Sequence, residues 1–338
     1  MKKILILGAS GFIGRNITKY LVKRGDCHIT AADINNCKTL EELNISKNFK
    51  LIISDFTKIE SFNLLDNHYD EVYHLAAIVG VNRTLKNPEN VIKTNTLLTI
   101  NTLDWISKNS VGKIVFASSS ENYAGTTDLF NFPLPTNEKV PLCISDIKHP
   151  RWTYAVSKIH GEAAFIHSSN ALNYNCSIVR YQNIIGPNMG FNHAIPHIVE
   201  RFYFKNDEEP FKVYGHDQTR AFCFVDDAVV GTIKAMEIGP NKEIFHIGND
   251  QEITIEELTK YIGELMNFHG SFEPAETYPG SVSRRCPDIT QSKEILMYSP
   301  KFNWKDSVEL TVEWYKEFYS SGNKPESGGF KPPEDTLK

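Results

Sequence analysis

Tyr154 and Lys158 stand four residues apart in Tyr154-Ala-Val-Ser-Lys158, inside a helical pattern that opens at Trp152. At that spacing a helix brings the phenol and the ammonium group onto one face. A fixed cation beside a phenol stabilises the phenolate and lowers its pKa from about 10. Such a phenol can take the proton of an alcohol while hydride leaves the same carbon. A second polar cluster precedes the pair, in Phe116-Ala117-Ser118-Ser119-Ser120-Glu121-Asn122-Tyr123, where an apolar run ends in hydroxyls and a carboxylate. Glu121 can act on a carbon made acidic by a neighbouring ketone, as a base for elimination or in support of decarboxylation.

Alcohol oxidation needs a hydride acceptor, and the N-terminus carries a cradle for one. Gly8-Ala9-Ser10-Gly11-Phe12-Ile13-Gly14 follows the apolar run 4–7 and opens a helical pattern over 12–23. Glycines at such a turn let a pyrophosphate approach the backbone at the positive end of a helix dipole. Gly8, Gly11, Phe12, Ile13 and Gly14 are the expected cofactor contacts. Asp33 closes the second apolar run about 20 residues on, where a carboxylate binds the adenosine ribose hydroxyls. It also repels a 2′-phosphate, and no arginine immediately follows it, which favours NAD over NADP.

Positioning these groups takes a sheet. Apolar runs at 4–7, 28–32, 51–54, 72–75, 114–117 and 177–180 alternate with helical patterns at 12–23, 89–108 and 152–168. Buried apolar strands separated by helices predict an α/β fold, a Rossmann-like doubly wound parallel sheet. After Arg180 the rhythm changes. Stretches rich in Pro, Gly, Asn and His (186–193, 211–220 and 272–287) alternate with helical patterns at 254–266 and 304–319, as expected of a smaller α/β substrate-binding lobe. The expected division is a dinucleotide-binding domain at 1–180 completed by part of 222–247, a lobe mainly at 181–320, and a flexible polar tail at 321–338.

With 338 residues, 41% of them hydrophobic, the chain can build a large core with room for two lobes. Its net charge of −5, with both signs mixed, leaves no basic stripe for nucleic acid or an anionic membrane. The cysteines at 27, 37, 143, 176, 223 and 286 form no CxxC pair, so reduced thiols and no metal site are expected. The apolar run after Met1-Lys2-Lys3 is shorter than the roughly 7–15 residues of a signal-peptide core. No stretch approaches the ~18 apolar residues of a membrane span, and a cytoplasmic location is expected.

The spacing Gly8-x-x-Gly11-x-x-Gly14 resembles the extended short-chain dehydrogenase/reductases, in particular the nucleotide-sugar epimerase/dehydratase group. Asp55-Phe56 resembles that group's adenine-contacting acid and apolar residue, and His74-Leu75-Ala76-Ala77 its segment along the cofactor diphosphate and ribose. The resemblance implies Ser119 as the residue that hydrogen-bonds the reacting sugar hydroxyl, with Ser120 beside it as a substrate contact. Ser119-Ser120-Glu121 resembles the Thr-Ser-Glu of UDP-glucuronate decarboxylases and GDP-mannose 4,6-dehydratases. Arg180-Tyr181-Gln182-Asn183 resembles the group's RYFN, which gives Asn183 to the nucleotide diphosphate and places the unusual Gln182 near the nicotinamide edge. The stretch 218–227 and Arg284-Arg285-Cys286-Pro287-Asp288 resemble segments whose arginines grip substrate phosphate or sugar, implying Arg220, Arg284 and Arg285. Arg83 is a weaker candidate for a sugar carboxylate. After Glu121 the usual Val-Tyr-Gly reads Asn122-Tyr123-Ala124-Gly125, a departure from the pattern.

The resemblance spans about residues 3–319. It implies a nucleotide-diphosphate-sugar substrate, with UDP favoured, and a homodimer through the helices at 89–108 and 152–168. The leading chemistry is transient oxidation at sugar C4 followed by decarboxylation or dehydration. The alternatives are 4-epimerisation, a net C4 dehydrogenase or reductase, and a silent NAD-sensing scaffold, a class expected to lose the Tyr–Lys pair that this chain keeps.

Overall fold

The computed structural model describes residues 1–205, 209–277 and 281–325. Seven parallel strands build the central sheet: β1 (Lys2–Leu7), β2 (Cys27–Asp33), β3 (Phe49–Ile53), β4 (His68–His74), β5 (Ser110–Ser119), β6 (Asn175–Tyr181) and β7 (Glu243–Ile247). Their order is β7-β6-β5-β4-β1-β2-β3. Connections run outward in both directions from the β1–β4 pair, so a crevice opens at the carboxyl ends of these two strands. Ile4, Leu5, Ile6 and Leu7 are wholly buried because both faces of the sheet are covered, which is why β1 reads as an unbroken apolar run.

Helix α1 (Phe12–Arg24) leaves the glycine turn and stops at Gly25, whose φ of 76° suits a residue without a Cβ. Lys23 and Arg24 in its last turn complement the negative end of its dipole. Helix α2 (Pro88–Ile106) takes its proline at the first position, where no backbone donor is required. Helix α3 (Trp152–Ala171) packs beside α2 on one face of the sheet. Helix α4 (Val225–Glu237) packs beside α1 on the other.

Apart from α4 and β7, most of the chain after Tyr181 gathers around a separate apolar cluster of Ile195, Phe202, Phe211, Leu258, Val312 and Tyr315. Helix α5 (Ile255–Leu265) enters this cluster from a capping box in which Thr254 and Glu257 satisfy each other's backbone donors. Helix α6 (Trp304–Ser320) crosses it. The stretch 211–220, expected as irregular, contains strands Phe211–Tyr214 and Thr219–Ala221. The stretch 272–287 supplies their parallel partners Phe272–Ala275 and Arg284–Arg285, while its residues 278–280 lie outside the described residues. These strands are too short to show alternation in the sequence. Of the expected tail, 321–325 is described, and Asn323 and Lys324 line the crevice; 326–338 lies outside the described residues. Among the described residues no helix is long and apolar enough to cross a membrane.

Candidate active site

The crevice holds two connected spaces. The larger, about 890 Å³, runs past Gly8, Gly11 and Phe12 between Asp33, Asp55 and Phe56 on one side and the 188–193 loop on the other. Its geometry depends on glycine. A Cβ on Gly8, whose φ is 87°, would lie 2.5 Å from the Ala76 nitrogen. One on Gly14 would lie 2.0 Å from the Gly8 carbonyl oxygen, so the first strand and first helix can meet only without side chains there. Asp33 Oδ2 accepts from the Ser10 backbone N–H at 2.9 Å and Oδ1 from that of Asn35 at 3.0 Å, which fixes the carboxylate at the tip of β2. Asp55 Oδ1 accepts from the Thr57 backbone and hydroxyl, and these bonds hold its pKa below the usual carboxylate range. Leu75, Ala76 and Ala77 form the opposite wall. The shape, the free helix N-terminus and the carboxylate at the β2 tip suit a dinucleotide.

The smaller space, about 380 Å³, is lined by Gly11, Phe12, Ile13, Gly14, Ser119, Ser120, Glu121, Tyr154, Lys158, Asn183 and Arg285, among others. Tyr154 and Lys158 share a face of α3, with the ammonium nitrogen 5.8 Å from the Tyr154 ring centroid and 4.9 Å from that of Phe116. Lys158 Nζ donates to the Ala117 carbonyl at 2.7 Å, which anchors it under the end of β5. Its burial pushes its pKa down to about 7. Tyr154 departs from expectation: burial raises its pKa above the ordinary value, with the Ser119 hydrogen bond pulling the other way. Desolvation and the Glu121 charge outweigh that bond, so without a positive charge acting on it the phenol keeps its proton.

Beyond Ser119 the chain turns through a short helix, Ser120–Tyr123. Asn122, where the family pattern has valine, is wholly buried and donates to Ser118 Oγ at 3.0 Å and Glu162 Oε1 at 2.9 Å. That turn aims Glu121 into the pocket. Glu121 Oε1 accepts from Arg285 Nη1 at 2.7 Å, and both its oxygens lie 3.3 Å from Arg151 Nη2. Burial disfavours the carboxylate, but the charges of Arg285 and Arg151 prevail and hold its pKa down to about 2. Arg285 Nη2 is buried and has no hydrogen-bond partner.

Not every candidate faces the pocket. Arg284 forms a bidentate pair with Glu252, both bonds at 2.7 Å, and its side chain is 51% exposed. Neighbours on a strand point to opposite faces, so Arg285 turns inward and Arg284 outward. Arg220 spends its guanidinium on the carbonyl oxygens of Thr219, Val282 and Ser283 and on Gln218, and lines neither space. Burial and the neighbouring Arg285 push its pKa down to about 9. Gln182 does not reach the nicotinamide side; it is wholly buried, donates to the Tyr123 hydroxyl at 2.8 Å and fills the space that a side chain on Gly248 would need. Asn183 adopts φ 41°, donates to the Ala221 carbonyl at 3.0 Å and does line the pocket. Arg83 lies on a short helix, Val81–Lys86, at the mouth of the larger space.

The model of the NAD dependent epimerase/dehydratase family matches residues 4–248, which include the glycine turn, Tyr154 and Lys158. The chain belongs to this family. A UDP-N-acetyl-alpha-D-glucosaminuronate decarboxylase of Bacillus cytotoxicus is 32% identical to it over 329 residues, covering 94% of this chain and 98% of the relative. A UDP-glucuronate 4-epimerase of Thermodesulfobacterium geofontis is 27% identical over 325 residues, covering 93% and 96%. The solved structure of a Thermotoga maritima UDP-glucose 4-epimerase with UDP-glucose aligns with a TM-score of 0.80 at 25% identity, over 94% of this chain and 99% of that one. That of a Bacillus cereus UDP-glucuronic acid 4-epimerase with UDP-glucuronic acid and NAD aligns with a TM-score of 0.80 at 22% identity, over 94% and 100%.

Two residues of this epimerase/dehydratase site and one that supports it were not evident from the sequence. Arg151 immediately precedes α3 and reaches a carboxylate thirty positions earlier in the chain. Its place three residues before Tyr154 was the available signal. Glu162, one turn beyond Lys158, binds Ser118, Asn122 and Arg180. His193 lines both spaces, and burial pushes its pKa down to about 4.

Proposed function

We propose that the chain is an NAD-dependent enzyme that acts on a UDP-hexuronic acid, oxidising C4 transiently and releasing the C5 carboxyl group as CO2. The observation that carries this reading is the Glu121–Arg285–Arg151 cluster, in which one carboxylate faces two guanidiniums and Arg285 Nη2 has no partner. Glu121, Arg151 and Arg285 line the same pocket as Tyr154, and the open donor of Arg285 suits a carboxylate on the carbon next to the reacting one.

Gly11, Phe12 and Gly14 would hold the cofactor pyrophosphate, with Asp33 at the adenosine ribose. When bound, NAD would supply a reversible hydride acceptor and a positive charge that favours the phenolate of Tyr154. Tyr154 takes the C4 hydroxyl proton, and Ser119 orients that hydroxyl. With a ketone at C4 the substrate is a β-keto acid. Its bond from C5 to the carboxyl carbon breaks, CO2 leaves, and the electron pair moves onto the C4 oxygen as an enolate. The enolate then takes a proton from solvent at C5, in place of the lost carboxyl group, and reduction at C4 restores the alcohol with the proton held by Tyr154. Dehydration or C5 epimerisation would instead ask Glu121 to remove a proton, and a carboxylate held at about 2 is a weak base.

A 4-epimerase is the second reading, because Ser119, Tyr154 and Lys158 suffice for it and a relative carries that activity. Loss of CO2 or unchanged mass, measured on the product formed from UDP-glucuronate, separates the two. Net NADH would instead indicate a dehydrogenase. Tyr154→Phe should abolish turnover while NAD stays bound. We also propose a cytoplasmic homodimer through the faces of α2 and α3 turned away from the sheet.

A further inference from the structure

Arg15 is a half-buried cation to which the chemistry above gives no task. It occupies the first turn of α1, one residue beyond Gly14, and lines the larger space together with Ser10, Gly11 and Phe12. Its guanidinium crosses the mouth of the crevice. Nη2 donates to the Asn188 carbonyl oxygen on the far wall, Nη1 lies 3.4 Å from the Ser10 carbonyl oxygen, and the group sits 5.5 Å from the Phe12 ring centroid. Among the described residues no carboxylate lies within ion-pair distance of it. Asp33, the nearby acid at the β2 tip, is engaged by the backbone of Ser10 and Asn35.

A partly desolvated guanidinium that meets carbonyl dipoles and a ring face but no anion has not recovered what it lost in leaving water. Burial accordingly pushes its pKa down. The groove that it overlooks begins at a helix N-terminus built to receive an anion.

We propose that Arg15 is a cofactor-binding residue that closes over the dinucleotide pyrophosphate and ties it to the 188–193 loop. The inference rests on the reading that the crevice holds a dinucleotide. Two negative charges would then enter a space in which Arg15 is the cation nearest the helix N-terminus, and its planar fork has donors enough for a phosphate oxygen and the Asn188 carbonyl together. The loop on the far side is bent through Gly186, Asn188 and Gly190, whose φ values are 156°, 57° and 95°, and it carries Met189 and His193 into the catalytic pocket. Filling the cofactor groove therefore fixes a wall of the substrate pocket.

The test is calorimetric titration of the full chain, stripped of cofactor, with NAD and separately with adenosine, which lacks the pyrophosphate. Arg15→Met should raise the Kd for NAD about tenfold or more, as loss of a charge-assisted hydrogen bond does, and change that for adenosine less than about twofold. Arg15→Lys should fall between, because an ammonium group keeps the charge but not the fork. Unchanged NAD affinity in Arg15→Met, or equal loss for NAD and adenosine, overturns the assignment. Should Arg15→Met fail to fold, Arg15→Lys decides alone: weaker NAD binding with unchanged adenosine binding supports the proposal, and no change overturns it. A wild-type chain that binds no NAD would instead contradict the functional reading itself.

Discussion

Two carboxylate–guanidinium clusters flank the Ser120–Tyr123 turn, and they are finished differently. On the inner side, Glu162 accepts from Ser118 Oγ at 2.5 Å, from Asn122 and from two nitrogens of Arg180 at 2.8 and 2.7 Å, while the third Arg180 nitrogen donates to the Glu138 carbonyl. On the outer side, Glu121 faces Arg285 and Arg151, and one donor of Arg285 is left over. Both clusters are desolvated, so both need their partners. The inner one pairs every guanidinium nitrogen of Arg180 within the fold and ties the ends of β5 and β6 to the middle of α3. The outer one leaves Arg285 Nη2 without an acceptor, and it opens on the pocket where Tyr154 stands. A completed cluster serves the scaffold; an incomplete one in a cleft marks a ligand.

The comparison can be broken from either side. The largest effect belongs to Glu162→Gln, which leaves the Arg180 charge buried and half-paired. Denaturant unfolding should show a loss of about 3–5 kcal/mol, with or without substrate. A loss below about 1 kcal/mol would deny the inner cluster its structural role.

Glu121→Gln should cost less at neutral pH and should behave differently with acid. Glu121 titrates at about 2 in the folded chain, against an ordinary value of 4.5. Its depressed pKa contributes stability that is complete above about pH 4.5 and lost as pH falls through about 2. The wild-type advantage over Glu121→Gln should therefore narrow from pH 4.5 to 2, and a constant gap would contradict the ion-pair account. The smallest effect is expected for Arg284→Ala, because the Arg284 side chain is half exposed and points away from the pocket. Stability should change by less than about 1 kcal/mol and substrate affinity not at all; a large rise in Kd would return Arg284 to the site.

What the sequence made legible follows from how local each constraint is. The glycine turn could be read because Gly14 is forced by the Gly8 carbonyl within one strand–turn–helix unit and Gly8 by its own positive φ. Tyr154 and Lys158 could be read because four residues is one helical turn. The lobe was harder. Arg284 and Arg285 sit on a two-residue strand, too short to announce its alternation, so the sequence could not say which of them turns inward. Arg220 lies on a three-residue strand among carbonyls that only the folded 282–283 segment brings to it. Gln182 took its direction from Gly248, sixty-six positions away. Helix α4 went unread although Asp226 and Asp227 mark its first turn, because its partners are α1 and the sheet rather than its sequence neighbours.

The central claim is that the unfilled donor of Arg285 receives a carboxylate of the substrate. The direct measurement is the affinity of wild type and Arg285→Met for UDP-glucuronate and for UDP-glucose, each in the presence of NAD. Wild type should prefer the uronate, and Arg285→Met should erase most of this preference, weakening UDP-glucuronate by about 2 kcal/mol or more while UDP-glucose binds nearly as before. Equal weakening of both ligands, or a wild type that does not distinguish them, would contradict that claim.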